Sequence, residues 1–153
     1  VFTQIKKAPE IAYATLVPNL KGLERAIAAG SKEIAVFGAV SETFSRKNID
    51  CTIAESLRRF ESVIEKAKTH DIKTRGYISC VWGCPYEGEI SPEVVADVAQ
   101  AMFELGCYEI SLGDTIGVAT PDKVTRVLSA VQKKIPLEHV AVHFHDTYGQ
   151  ALV

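Results

Sequence analysis

Glu33-Ile34-Ala35-Val36-Phe37 carries no polar residue after its first position and stops at Gly38. A strand with one wet face alternates apolar and polar side chains. A run without alternation is buried on both faces, as in a parallel sheet covered by helices. On the N-terminal side, residues 13–17 read as a short apolar strand halted by Pro18-Asn19. Asn19 is placed to cap a helix over 20–29, with Leu23, Ala26 and Ile27 on one face and Gly30 as its stop. Residues 1–9 read as the helical end of a preceding element.

On the C-terminal side, residues 39–51 are polar, with Ser41, Glu42, Ser45, Arg46, Lys47 and Asn48, and read as a long connection of the kind that often carries function. Thr52-Ile53-Ala54-Glu55 has the spacing of a capping box. The helix it opens runs to about His70, and Ile53, Leu57, Phe60, Ile64 and Ala67 fall on its inner face. A third strand over 74–80 enters a Gly-, Pro- and aromatic-rich loop over 81–88. Ser91-Pro92-Glu93 opens the next helix, whose expected buried stripe is Val94, Val95, Val98, Met102 and Leu105, ending at Gly106. A fourth strand over 108–112 runs into Gly113-Asp114-Thr115. Thr120-Pro121-Asp122 opens a helix with Val124, Val127, Leu128 and Val131 facing in. Val140-Ala141-Val142-His143-Phe144-His145-Asp146-Thr147 is the last strand, and Thr147-Tyr148-Gly149 leads toward one more helix.

Five strands alternating with helices pack economically only as a parallel sheet with helices outside it. An open doubly wound sheet and a barrel both satisfy the pattern. No Gly-x-Gly-x-x-Gly follows a strand and no Gly-x-x-x-x-Gly-Lys occurs, which weakens the nucleotide-binding forms. Polar groups collect at the carboxyl ends of the strands: Asn19, Ser79, Asp114, His143, His145 and Asp146. That is where a barrel does its chemistry. The expected fold is α/β, a (β/α)8 TIM barrel of which residues 1–153 supply about five βα units as one domain. The chain opens on Val1 rather than Met and stops inside the incipient helix, so both ends are read as cut.

With 47% hydrophobic and 24% charged residues and a net charge of −2, the 153 residues have the composition of a soluble α/β protein. That charge offers no field for nucleic acid or an anionic membrane. No apolar run approaches the ~18 residues of a membrane span, and no signal peptide is visible. Cys51, Cys80, Cys84 and Cys107 lack zinc-type or thioredoxin-type spacing and read as inert, reduced, buried thiols.

In the last strand, His143 and His145 point to one side, about 7 Å apart, while Val140, Val142 and Phe144 point to the other. Two imidazoles so placed make half of a divalent-metal site, or simply a strand end that satisfies local hydrogen bonds. Asp114 is a metal ligand, an acid/base group or a turn aspartate. Ser79 and Ser111 either hydrogen-bond an acyl or hydroxyl group or fill the barrel taper. Arg46, Lys47 and Asn48 offer donors to a polyanionic tail such as a nucleotide diphosphate, or form a solvated loop. Asp146 fixes a histidine tautomer or caps the helix after it. No nucleophile elbow is present.

The runs 79–88 (Ser-Cys-Val-Trp-Gly-Cys-Pro-Tyr-Glu-Gly), 108–117 (Tyr-Glu-Ile-Ser-Leu-Gly-Asp-Thr-Ile-Gly) and 143–151 (His-Phe-His-Asp-Thr-Tyr-Gly-Gln-Ala) resemble the 3-hydroxy-3-methylglutaryl-CoA lyase family. The first run is the most specific. The other two are similar to motifs of a wider metallolyase superfamily that includes Claisen-condensing synthases and pyruvate-carboxylase-type carboxyltransferases. The resemblance implies a barrel enzyme that cleaves 3-hydroxy-3-methylglutaryl-CoA to acetyl-CoA and acetoacetate with Mg²⁺ or Mn²⁺. It places the metal-binding histidines on His143 and His145, the acid/base aspartate on Asp114, a neighbouring serine on Ser111, and a position near the coenzyme A entrance on Asn48; the chemistry of a tertiary alcohol beta to a thioester then makes Asp114 or His143 the group that takes the hydroxyl proton.

The family's Arg-Asp pair, Glu, catalytic Cys on a glycine-rich loop and Asn ligand fall outside these residues. The isolated chain is therefore expected to be inactive and a complete parent active. An acyl-CoA is the expected partner, with no nucleic acid and no membrane, in a homo-oligomer (a dimer) of the bacterial cytoplasm or the mitochondrial matrix. The competing readings are a Claisen-condensing acyltransferase or carboxyltransferase on the same barrel, and a non-catalytic metal or CoA-thioester binder.

Overall fold

The computed structural model describes residues 2–153; Val1, the first residue of the expected N-terminal helical end, lies outside them. The elements are β1 (Ala14–Leu16), α1 (Leu20–Ala28), β2 (Glu33–Ala39), α2 (Glu42–Ile49), α3 (Ile53–Lys68), β3 (Lys73–Ser79), α4 (Pro92–Leu105), β4 (Ile110–Gly113), α5 (Pro121–Val131) and β5 (Val140–His143). All four strand pairings are parallel, and the sheet order is β1-β2-β3-β4-β5. A doubly wound sheet starts in the middle and reverses direction. An order that never reverses is a sector of a singly wound (β/α)8 barrel, which settles the alternative left open by the pattern of strands and helices. No helix among the described residues is long and apolar enough to cross a membrane.

Strand parity divides the sheet into two faces. Ile34 and Val36 of β2, Ile78 of β3, and Ile110 and Leu112 of β4 are buried together with Phe60 and Ile64 of α3, Met102 of α4, and Val127 and Val131 of α5. Gly76 lets α4 approach: a Cβ there would stand 2.9 Å from Ile110 Cδ1 and 3.0 Å from Met102 Cε. The opposite, concave face carries Phe37, Arg75, Tyr77, Ser79, Ser111 and His143, brought into line by the pairings Phe37↔Tyr77, Tyr77↔Ser111 and Gly113↔His143.

The helix starts follow the sequence. Asn19 accepts from Gly22 N, both halves of the Thr52–Glu55 capping box form, and Ser91 accepts from Glu93 N with Pro92 in the first turn. Thr120 precedes α5 but makes no side-chain cap bond.

Four expectations are corrected. The polar connection 39–51 contains a helix, α2, whose signals sit at its ends rather than in a stripe: Ser41 caps Phe44 N, Glu42 lies in the first turn, Arg46 and Lys47 lie in the last, and Asp50 closes it at φ 51°. Residues 2–9 form turns and bends rather than a helical end. Val94 is exposed, because the inner stripe of α4 runs through Val95, Val98, Ala99 and Met102, and Val94 lies a turn of about 100° away from Val95. The last strand ends at His143, and turns, not a helix, follow Thr147, where Gly149 takes φ +67°.

Candidate functional site

The site is assembled where β4 and β5 end side by side. His143 pairs with Gly113, and Asp114 N donates to His143 O at 2.9 Å. Although regular pairing stops there, the in-out alternation continues. Phe144 turns back and packs on Trp82, with ring centroids 5.1 Å apart. His143 and His145 come together on the other side, their rings edge to face with centroids 5.3 Å apart. The two imidazoles that the sequence places on one face therefore meet.

His145 Nδ1 lies 2.5 Å from the Asp114 carbonyl oxygen. A carbonyl can only accept, so Nδ1 carries a proton, and in the neutral ring the lone pair is then on Nε2. This is how proteins prepare a histidine for a metal ion: one ring nitrogen is tied to the backbone and the other is left as donor.

Asp114 is buried just beyond β4. Its Oδ1 accepts from Val118 N at 2.9 Å and Ala119 N at 3.2 Å, and its carbonyl also accepts from Gly117 N. Gly117, at φ +66°, closes this turn. Oδ2 is buried with no hydrogen-bond partner. The side chain thus organises the turn with one oxygen and holds the other unpaired. Next to it, Thr115 Oγ1 accepts from Cys80 N at 2.7 Å, joining the tips of β4 and β3.

Ser111 is buried and Ser79 half-buried, both on the concave face that ends in His143. Asn48 is not gathered with them. It sits exposed on the last turn of α2, lining a cavity of about 230 Å³ over the tips of β1 and β2 with Asn19, Phe37 and Arg59. Arg46 reaches Glu42 at 3.9 Å, and Lys47 Nζ lies 4.9 Å from the Tyr86 ring centroid. Asp146 neither holds a histidine nor caps a helix, since no helix follows: its Oδ1 accepts from Ala151 N at 3.0 Å and closes a turn.

The Gly- and Pro-rich loop after β3 is clamped onto α2, a contact between residues more than forty positions apart that local sequence does not signal. Glu87 Oε1 accepts from Thr43 N at 2.6 Å, and Cys84 Sγ lies 3.0 Å from Ser41 Oγ. The bond from Thr43 holds the Glu87 carboxyl below its ordinary range. All four cysteines are free and buried, and burial pushes the Cys80 and Cys107 thiols up to about 12.

Two imidazoles, one of them with its Nδ1 tied to a backbone carbonyl, suit two ligand positions of a divalent cation. Among the described residues, no group of three or more His, Cys, Asp or Glu side chains converges on a common point. The two histidine rings stand as a pair, with no third such side chain closing on them among the described residues.

Known proteins share this chain's sequence and fold. The chain is 57% identical over 152 residues to the mitochondrial hydroxymethylglutaryl-CoA lyase of Pongo abelii, which covers 99% of this chain and 47% of that protein. The crystal structure of the hydroxymethylglutaryl-CoA lyase from Pseudomonas aeruginosa superposes with a TM-score of 0.94 at 54% identity, over 99% of this chain and 50% of that one. An HMG-CoA lyase from Acinetobacter baumannii, solved in complex with coenzyme A and 3-methylmalate, matches with a TM-score of 0.89 at 35% identity, over 97% of this chain and 48% of that one. The chain spans about half the length of the curated relatives it matches. Relatives of similar identity include mitochondrial and cytoplasmic forms. The HMGL-like family model matches residues 1–153, and the chain belongs to that family.

Proposed function

We propose that this chain is the histidine-bearing half of a lyase that cleaves 3-hydroxy-3-methylglutaryl-CoA to acetyl-CoA and acetoacetate, with Mg²⁺ or Mn²⁺ held in part by His143 and His145. One observation carries the proposal: His145 has its Nδ1 tied to the Asp114 carbonyl, so that Nε2 is left as a donor beside the ring of His143. A divalent cation there supplies Lewis acidity that lowers the pKa of a bound alcohol.

The remaining chemistry belongs to side chains. The substrate is a tertiary alcohol beta to a thioester carbonyl. Loss of its hydroxyl proton lets the oxygen become a ketone as the neighbouring carbon–carbon bond breaks, and the bonding pair passes to the methylene carbon of the acetyl-CoA enolate. That carbon then takes up a proton. The unpaired Asp114 Oδ2 supports Asp114 as the group that accepts the hydroxyl proton, with the exposed ring of His143 as the neighbouring acceptor. Ser111 and Ser79, on the same face, are proposed to hydrogen-bond the acyl portion. Asn48, beside Asn19 and Arg59, is proposed to meet the coenzyme A arm. Four buried free thiols suit a reducing compartment, a bacterial cytoplasm or a mitochondrial matrix.

Incubating the full-length protein with 3-hydroxy-3-methylglutaryl-CoA and Mn²⁺ should release acetoacetate and acetyl-CoA in equal amounts. Acyl transfer to a 2-oxo acid instead would assign it to the condensing synthases. Thioester binding without turnover would make it a binder.

A further inference from the structure

Gly117 lies against the segment that carries His145, and no chemistry proposed above uses it. Its backbone is left-handed, with φ +66°, so the turn after Asp114 already favours glycine. The space around it makes a separate demand. A Cβ on Gly117 would overlap Thr147 Oγ1 and stand 3.3 Å from His145 Cβ and 3.5 Å from Thr147 Cβ. Gly117 N donates to the same Asp114 carbonyl that accepts from His145 Nδ1. The turn and the histidine thus share one acceptor, and the bare Cα of Gly117 is what lets them close on it together.

We infer that Gly117 is a positioning residue for His145: its missing side chain leaves the room in which Thr147 and the imidazole segment close on the Asp114 carbonyl, and so sets where the Nε2 donor sits. The inference rests on the proposed metal-binding role of His145. Gly117 acts through the ligand, His145. Loss of an outer partner of a metal-bound histidine typically costs about 10–100-fold in metal affinity, the range expected if Gly117 is filled.

The test is Mn²⁺ affinity of the full-length protein, read as free Mn²⁺ by electron paramagnetic resonance, with a thermal melt of each variant. Gly117→Ala should bind Mn²⁺ about tenfold or more weakly. Thr147→Ala should stay within about twofold, because it only removes atoms. The double variant should recover most of the loss, because deleting the Thr147 hydroxyl makes room for the new methyl, whereas the left-handed strain at position 117 is the same in both. Should Gly117→Ala fail to fold, Thr147→Ile crowds the same contact without altering the turn and should also weaken Mn²⁺. Normal affinity in both crowding variants while His145→Ala loses Mn²⁺ overturns the positioning role. So does a double variant as weak as Gly117→Ala. Normal affinity in His145→Ala itself overturns the metal reading and the inference with it, a result that the other two outcomes do not produce.

Discussion

The loop after β3 and the segment after β5 leave the same end of the sheet and are built to opposite purposes. In the first, most polar groups find partners within the chain, although Trp82 Nε1 is buried without one. Glu87 receives Thr43 N, Cys84 meets Ser41, and Cys84 pairs with Gly88 in an isolated antiparallel bridge. In the second, the rings of His143 and His145 meet edge to face, His145 Nδ1 is tied to the Asp114 carbonyl, and the Asp114 carboxylate keeps one oxygen unpaired. Satisfied groups hold a structure in place, whereas groups held in position without partners are available for chemistry. The difference separates what fastens this end of the barrel from what is proposed to react there.

Asp114 joins the two kinds of region, and its variants should break the comparison most sharply. Asparagine keeps an oxygen to accept from Val118 N and Ala119 N but cannot take a proton as a carboxylate does. In the full-length protein, Asp114→Asn should lower turnover by about 10²–10⁴ while leaving the melting temperature and Mn²⁺ affinity near those of the parent. Unchanged turnover would remove Asp114 from the reaction. Asp114→Ala should lose as much activity and also destabilise the fold by about 1–3 kcal/mol, since two backbone donors are left without an acceptor. A melt of Asp114→Ala equal to that of Asp114→Asn would show the turn to be held by something else.

Glu87 probes the fastening side, with a smaller effect and no effect on chemistry. Its carboxyl is held below the ordinary glutamate value by Thr43, so the stabilisation is present above the unfolded pKa near 4.5 and is lost as pH falls through the lower folded value. Glu87→Gln should cost about 0.5 kcal/mol at neutral pH, the low end expected for an exposed charge at a helix N-terminus, with kcat unchanged. The gap between variant and parent melts should close on acidification below the ordinary glutamate value. A gap that persists at low pH would contradict the clamp. The smallest expected effect is none: Cys80 and Cys107, buried with thiols pushed up to about 12, should stay unlabelled by a thiol reagent until the protein unfolds. Rapid labelling of either at neutral pH in the native protein would contradict that burial.

Much of this was legible in the residues, and what was not has physical causes. Caps at Asn19, Thr52 and Ser91 work through bonds within a few residues and could be read directly. The histidine pairing follows from a two-residue period that persists past the end of β5. Helix α2 escaped notice because it lacks an apolar stripe; Ser45 is its only buried residue, and its helical signal lies in Ser41 and in the charges at its ends. Asp114 was legible as a polar strand tip, but the two hydrogen bonds it accepts from Val118 N and Ala119 N depend on how Gly117 folds the turn. The parts that pair Glu87 with Thr43, or Gly117 with Thr147, lie tens of residues apart and are joined only by the fold.

The account depends above all on two rings that together hold a cation. Titrating Mn²⁺ into the full-length protein and its His143→Ala and His145→Ala variants tests this most directly. Each substitution is expected to weaken binding by about 100-fold or more, at or beyond the upper limit for loss of an outer partner, with the melting temperature little changed. Mn²⁺ affinity equal to the parent's in either folded variant would contradict it.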